Sequence, residues 1–149
     1  VPVRIVAESV GLDVEVINPL ATSISALDTA LLEGAVRYPG SGILSDEENM
    51  LIFGHSSSLP IVRNKAFQAF NGIKNLNEGD LIRVYSESRE YHYQVESVSH
   101  VNAEDTAIPL RTGEKRLTLS TCDSFGKKTD RYVVDARFVG SYPIETRGS

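Results

Sequence analysis

One cysteine in 149 residues rules out an internal disulfide and leaves the redox compartment open. The sequence has no apolar run of membrane-spanning length and no signal peptide. It also lacks a basic stripe. With a net charge of −5 and only small clusters such as Lys127-Lys128, it cannot offer the clustered cations that phosphates demand, which excludes nucleic acid as a partner. Internal repeats, low-complexity tracts and linkers are missing too. What remains is a single domain over residues 1–149, long enough to bury roughly 70% of its unfolded surface. The first residues are Val1-Pro2 rather than methionine, and the expectation is an excised ectodomain.

The residues present read mostly as strands. Apolar and polar positions alternate, or apolar runs occur, near 4–7, 14–17, 51–53, 81–85, 91–98, 117–121 and 132–139. A glycine- and proline-rich turn, Tyr38-Pro39-Gly40-Ser41-Gly42, separates early elements. One short helix is predicted near 65–71, after Asn64 as N-cap and with Phe67 and Phe70 at helical spacing. A second helical turn near 26–32 would use Leu27, Leu31 and Leu32 to cover one end of the fold. Many strands with few helices predict a mainly β barrel.

The lone cysteine, Cys122, closes the strand segment Thr118-Leu119-Ser120-Thr121-Cys122. Alternation puts Leu117, Leu119 and Thr121 on one face and Thr118, Ser120 and Cys122 on the other, so the thiol shares a polar face. A lone cysteine is more often a small buried hydrophobe, and it is the face that argues for chemistry. Downstream, Arg131, Val133, Asp135 and Arg137 form the less apolar face of the next strand, and the loop 123–130 is short enough to join antiparallel neighbours directly. Cys122 and Arg131 would then flank that loop on one face.

Of three histidines, His92 sits on the polar side of a strand with Glu90, Gln94 and Glu96 and reads as solvated, and His100 reads as a loop residue. His55 ends the apolar run Met50-Leu51-Ile52-Phe53, the pattern of a strand buried on both faces that delivers a histidine to its rim. A hydrogen-bonded structural role for His55 stands beside that reading.

These residues resemble the sortases, the cysteine transpeptidases of bacterial cell surfaces. Thr118-Leu119-Ser120-Thr121-Cys122 is similar to the family's Thr-Leu-x-Thr-Cys motif, Gly54-His55 to its Gly-His, and Arg131-Tyr132-Val133-Val134 stands where its catalytic arginine falls. The likeness runs from about residue 4 to 140. It implies a mainly β, closed barrel of about eight strands with one or two short helices. It also implies a catalytic set of His55, Cys122 and Arg131, with Thr121 helping to shape the site.

By the same resemblance, Cys122 would attack the threonine carbonyl of a Leu-Pro-x-Thr-Gly-like signal on a secreted protein. An amine of cell-wall precursor, or a pilin lysine in pilus-building members, would then take the acyl group. Ala107, Ile108 and Leu110, in a proline-containing stretch before the cysteine strand, would touch the Leu-Pro of the signal, against the reading that they only cap the barrel. No cofactor is expected. Some class A members bind calcium, and the candidate ligands here are Glu47, Glu48 and Glu104, although acidic loop clusters are commonly just solvated.

The resemblance further implies the extracellular face of a bacterial membrane, reached through an N-terminal anchor left out of this chain. The lid motif Asp-Pro-aromatic of pilin-polymerising members is missing, which favours housekeeping anchoring, and Cys122-Asp123 is a class B-like pairing. A cysteine hydrolase passing the acyl group to water would use the same three residues. A non-catalytic peptide-binding barrel would leave Cys122 incidental.

Overall fold

Eight strands close into a barrel in the order β1-β2-β3-β4-β7-β8-β6-β5. They are β1 Arg4–Ala7, β2 Leu12–Ile17, β3 Ala35–Arg37, β4 Asn49–Gly54, β5 Leu81–Tyr85, β6 Arg89–Val101, β7 Arg116–Thr121 and β8 Arg131–Pro143. The computed structural model describes residues 2–19, 23–31, 33–39, 41, 49–54, 70, 72–101, 115–121 and 131–143, with the backbone alone at Ile24, Val101 and Arg131. The predicted helix near 65–71 lies outside the described residues except for Phe70, which is fully buried.

Two of the pairings are parallel, β2 with β3 and β4 with β7, and the others are antiparallel. Parallel neighbours cannot be joined by a hairpin. The β4–β7 seam therefore brings together segments more than sixty positions apart, from Asn49 against Arg116 to Gly54 against Thr121.

Alternation sorts the seam's side chains into two cores. Met50, Ile52, Leu117, Leu119, Val134 and Ala136 point into the barrel with Ile5, Phe70, Ile82, Val84, Tyr93 and Val95. Leu51 and Phe53 point outward and pack with Val36 against Leu27, Ala30 and Leu31 of helix α1, Ile24–Leu31. Ser23 begins that helix, its hydroxyl accepting from the Ala26 backbone amide at 3.3 Å. The helix thus covers the barrel's outer wall, where the sequence reading put a turn over one end. Its apolar residues recur at i, i+3 and i+4, so they form one stripe that needs a wall to bury it.

Other differences have similar causes. Strand β3 was not predicted because three residues are too short to show a period. His100 lies within β6, paired with Tyr132, rather than in a loop. Register shifts between His92 and Tyr93 and between Val95 and Ser97 break that strand's alternation, which hides its continuity. His92 is not simply solvated: its ring lies 4.8 Å from that of Tyr142, and its Nε2 is 2.9 Å from Glu90 Oε1.

Among the described residues, the hydroxyl of fully buried Tyr93 in the barrel interior has no hydrogen-bond partner. Burial pushes the Tyr93 phenol well above its ordinary range near 10. The folded protein then keeps a proton that the unfolded chain releases above pH ~10, so stability is intact below that pH and falls as pH rises past it. Tyr93→Phe is expected to raise unfolding free energy by about 1 kcal/mol at neutral pH, because it removes the orphaned hydroxyl, and to flatten the loss above pH ~10. Urea unfolding at the two pH values checks both effects.

At Gly54, a Cβ would lie 2.5 Å from the Phe70 ring. Gly54→Ala is expected to cost about 1–3 kcal/mol through overpacking, with part of the loss recovered in the Gly54→Ala, Phe70→Leu double variant. Paired urea midpoints test that coupling.

Candidate active site

The apolar run 50–53 forms a strand buried on both faces, because the barrel core takes one face and α1 the other. Strand β7 is equally enclosed. Thr118 and Ser120 are as buried as Leu117 and Leu119, so the face read as polar is a covered face with polar side chains. Each of those side chains then needs a hydrogen bond.

Thr118 Oγ1 lies 2.9 Å from Asn49 Oδ1 and 3.2 Å from Asp135 Oδ1, which ties β4, β7 and β8 together. A hydroxyl has one proton, so it donates to one of these partners and accepts from the Asn49 amide when that group is turned over. Ser120 donates to the Thr121 carbonyl at 3.1 Å. Thr121 Oγ1 accepts from the Tyr132 backbone amide at 3.0 Å, so its hydroxyl holds the start of β8 against the end of β7.

The rungs of this outward face run straight across four strands. Leu51 pairs with Thr118, Thr118 with Asp135 and Asp135 with Ser97. One rung further along, Phe53 pairs with Ser120, Ser120 with Val133 and Val133 with Ser99. At the rim Gly54 pairs with Thr121, and the Arg131 backbone pairs with Val101.

The structure therefore brings to one rim the end of β4, the end of β7 and the start of β8. In the chain, Gly54 is followed by His55 and Thr121 by Cys122. His55 and Cys122 themselves lie outside the described residues, as do Ala107, Ile108 and Leu110 and the calcium candidates Glu47, Glu48 and Glu104; Arg131 is described by its backbone only. Among the described residues no group of acidic, histidine or cysteine side chains could hold a metal ion, and no helix is long and apolar enough to cross a membrane.

Sequence reasoning missed Asn49 and Asp135. The available signal was an asparagine heading an otherwise apolar run, where a polar side chain carried into a buried wall must find a partner.

Comparison with known proteins agrees with this architecture. Residues 5–139 match the sortase domain family. Sortase A of Bacillus anthracis is 30% identical over 138 residues, a match that takes in 93% of this chain and 60% of that protein's length. Sortase A of Listeria monocytogenes shares the fold with a TM-score of 0.73 at 22% identity, over 96% of this chain and 90% of that one. A group B Streptococcus sortase C2 of pilus island 1 does so with a TM-score of 0.72 at 18% identity, over 93% and 73% of the two chains. The family match spans the barrel from β1 through most of β8, and on that match the chain belongs to the sortase family.

Proposed function

We propose that this domain is a cysteine transpeptidase in which His55, Cys122 and Arg131 form one row on the outward face of the β4–β7–β8 seam. The register supports the reading. Gly54 is paired with Thr121, so the same ladder carried one residue further sets position 55 against 122. Ser120 is paired with Val133, and two residues further the antiparallel ladder sets 122 against 131. Alternation puts all three on the face of Phe53, Ser120 and Val133. A histidine and a cysteine that follow β4 and β7 and an arginine that opens β8, all falling on one rung of the extended ladders, would be a specific arrangement, and the membership of the chain in the sortase family supports the same roles.

In the proposed reaction the Cys122 thiolate attacks the threonine carbonyl carbon of a Leu-Pro-x-Thr-Gly-like signal. The tetrahedral intermediate carries negative charge on its oxygen, and the Arg131 guanidinium is the cation that stabilises it. As the C–N bond breaks, His55 in its imidazolium form gives its proton to the departing glycine amine, which leaves a thioester on Cys122. An incoming amine then attacks the thioester carbonyl, neutral His55 takes the amine's proton, and the thiolate leaves. One amide is exchanged for another with no external oxidant or energy source. The substrates that fit are secreted proteins with a C-terminal sorting signal, and the acceptor is a cell-wall precursor amine or a pilin lysine. A domain with these substrates would act at the outer face of a bacterial membrane.

Mass spectrometry of the chain with Leu-Pro-x-Thr-Gly peptides and oligoglycine is expected to show ligated product. Cys122→Ala should abolish it, and His55→Ala or Arg131→Ala should lower its rate by about 10²-fold or more. Cleavage without ligation would favour a hydrolase, and no reaction at a labelled, reactive thiol would count against the assignment.

With ordinary pKa values of about 8.5 and 6.5, only about 1% of molecules would hold thiolate and imidazolium together at pH 7. The rate must then rise as the thiolate forms and fall as the imidazolium is lost. A bell-shaped profile between about pH 6 and 9 is the expected result, and a flat one contradicts the acid–base pair.

A further inference from the structure

Away from the proposed reaction row, a cleft of about 530 Å³ opens on the outer wall of the barrel, lined by Glu78, Gly79, Gln94, Val95, Glu96 and Arg137. The backbone fixes its walls. Gly79 takes a left-handed φ of 95° in the turn before β5, and its amide donates to the Val95 carbonyl at 2.8 Å while the Val95 amide donates to the Asp80 carbonyl at 2.9 Å. Asp80 closes that turn by accepting from the Asn77 amide at 2.8 Å. On β6, the register shift between Val95 and Ser97 makes Glu96 an extra, exposed residue. Arg137 lies on β8, opposite Gln94 on one side and Arg116 of β7 on the other. Six residues of β8 separate it from Arg131, about 20 Å along a strand.

The charges of the cleft are not matched to one another. Like charges directly opposite on neighbouring strands repel, and of the pair Arg116 and Arg137 it is Arg116 that turns to Glu96. Arg137 donates to the neutral Gln94 side-chain oxygen at 2.7 Å, and among the described residues no carboxylate pairs with it. Across Gln94, Glu78 is exposed and forms no ion pair among the described residues. The Gln94 amide lies between the two, its oxygen on Arg137 and its nitrogen 3.4 Å from the carbonyl of Gly79, next to Glu78 in the chain.

A guanidinium with one neutral acceptor keeps N–H donors for a carboxylate, the group its fork fits best, and an unpaired carboxylate has the same need of an ammonium. The two charges stand one amide group and two hydrogen bonds apart. An amino acid, whose own charges are two bonds apart, is too short for that span, whereas an extended peptide covers it at about 3.3 Å per residue.

We propose that this cleft binds a short zwitterionic peptide of about two or three residues, its carboxylate on Arg137 and its ammonium on Glu78. The inference does not depend on the transpeptidase reaction.

The test is titration of the intact nitrogen-15-labelled chain with Ser-Ser and Ser-Ser-Ser, each in free, N-acetylated and C-amidated form, followed by amide chemical shifts. The free peptides are expected to give saturable shifts centred on Gly79, Gln94 and Arg137 rather than on Thr121 and Tyr132. Acetylation and amidation should each weaken binding by roughly two- to fivefold, the range of one exposed charge contact. In Arg137→Gln the free and amidated peptides should bind alike while acetylation still weakens binding. In Glu78→Gln the reverse is expected.

A variant that merely loosened the turn or β8 would weaken all forms by one factor and leave the discrimination intact, which overturns the inference. So does the absence of saturable binding, binding indifferent to both caps, or shifts confined to the ends of β4 and β7. Dependence on the carboxylate alone, lost in Arg137→Gln and unchanged in Glu78→Gln, overturns the zwitterion in favour of a simple anion site.

Discussion

The parallel ladder between β4 and β7 is the constraint on which the rest of the molecule depends. It joins segments distant in the chain, and nothing local can set its register. Burial of both faces sets it instead. A slip of one residue would turn Met50 and Ile52 out of the barrel and push Leu51 and Phe53 in, exchanging the two apolar clusters at once. The polar bridge from Asn49 through Thr118 to Asp135 adds a second condition, since the same slip would strand buried hydrogen-bonding groups.

On the function proposed above, that register has a chemical use, because its last described rung leads straight to His55 and Cys122 in the chain. Among the described residues Gly54 and Thr121, both buried, form the last pair of that ladder, and the residues proposed to do the chemistry come next in the chain. A site built at the ends of enclosed strands inherits their precision while still meeting solvent and substrate. The Thr121 hydroxyl adds to this by accepting from Tyr132, so that β8 starts in step with the end of β7. Gly54 serves the same end from the other strand, because the space its side chain would fill is taken by Phe70. On the proposed assignment, folding and catalysis draw on one set of contacts.

Much of this was legible beforehand, and where it was not, the reasons are physical. The run 50–53 announced a doubly buried strand, and β4 is buried at every position. Strands β1, β5 and β7 followed from alternation or apolar character nearly to the residue. Alternation gave Thr118 and Ser120 a polar face but could not tell a polar face in water from one under cover, and theirs is under cover. It also could not see β3, which has only three residues, nor follow β6 through two register shifts. The link from Asn49 through Thr118 to Asp135 depends on a non-local ladder, and no spacing in the sequence reports it. The roles proposed for His55, Cys122 and Arg131 rest on motif likeness, to which the strand pairing, extended by one rung, adds a geometric argument.

The most direct test of that geometry is a cross-link. Cys122 is the only cysteine, so His55→Cys creates a single possible internal pair. Adjacent residues on neighbouring strands have Cα atoms within the 4.4–6.8 Å, roughly, that a disulfide spans. Mild oxidation of dilute His55→Cys chain, followed by intact and peptide mass spectrometry, is expected to show a monomer lighter by two hydrogens and a peptide linking 55 to 122. Free thiols or only intermolecular dimers, in a folded protein, would contradict the alignment of the row.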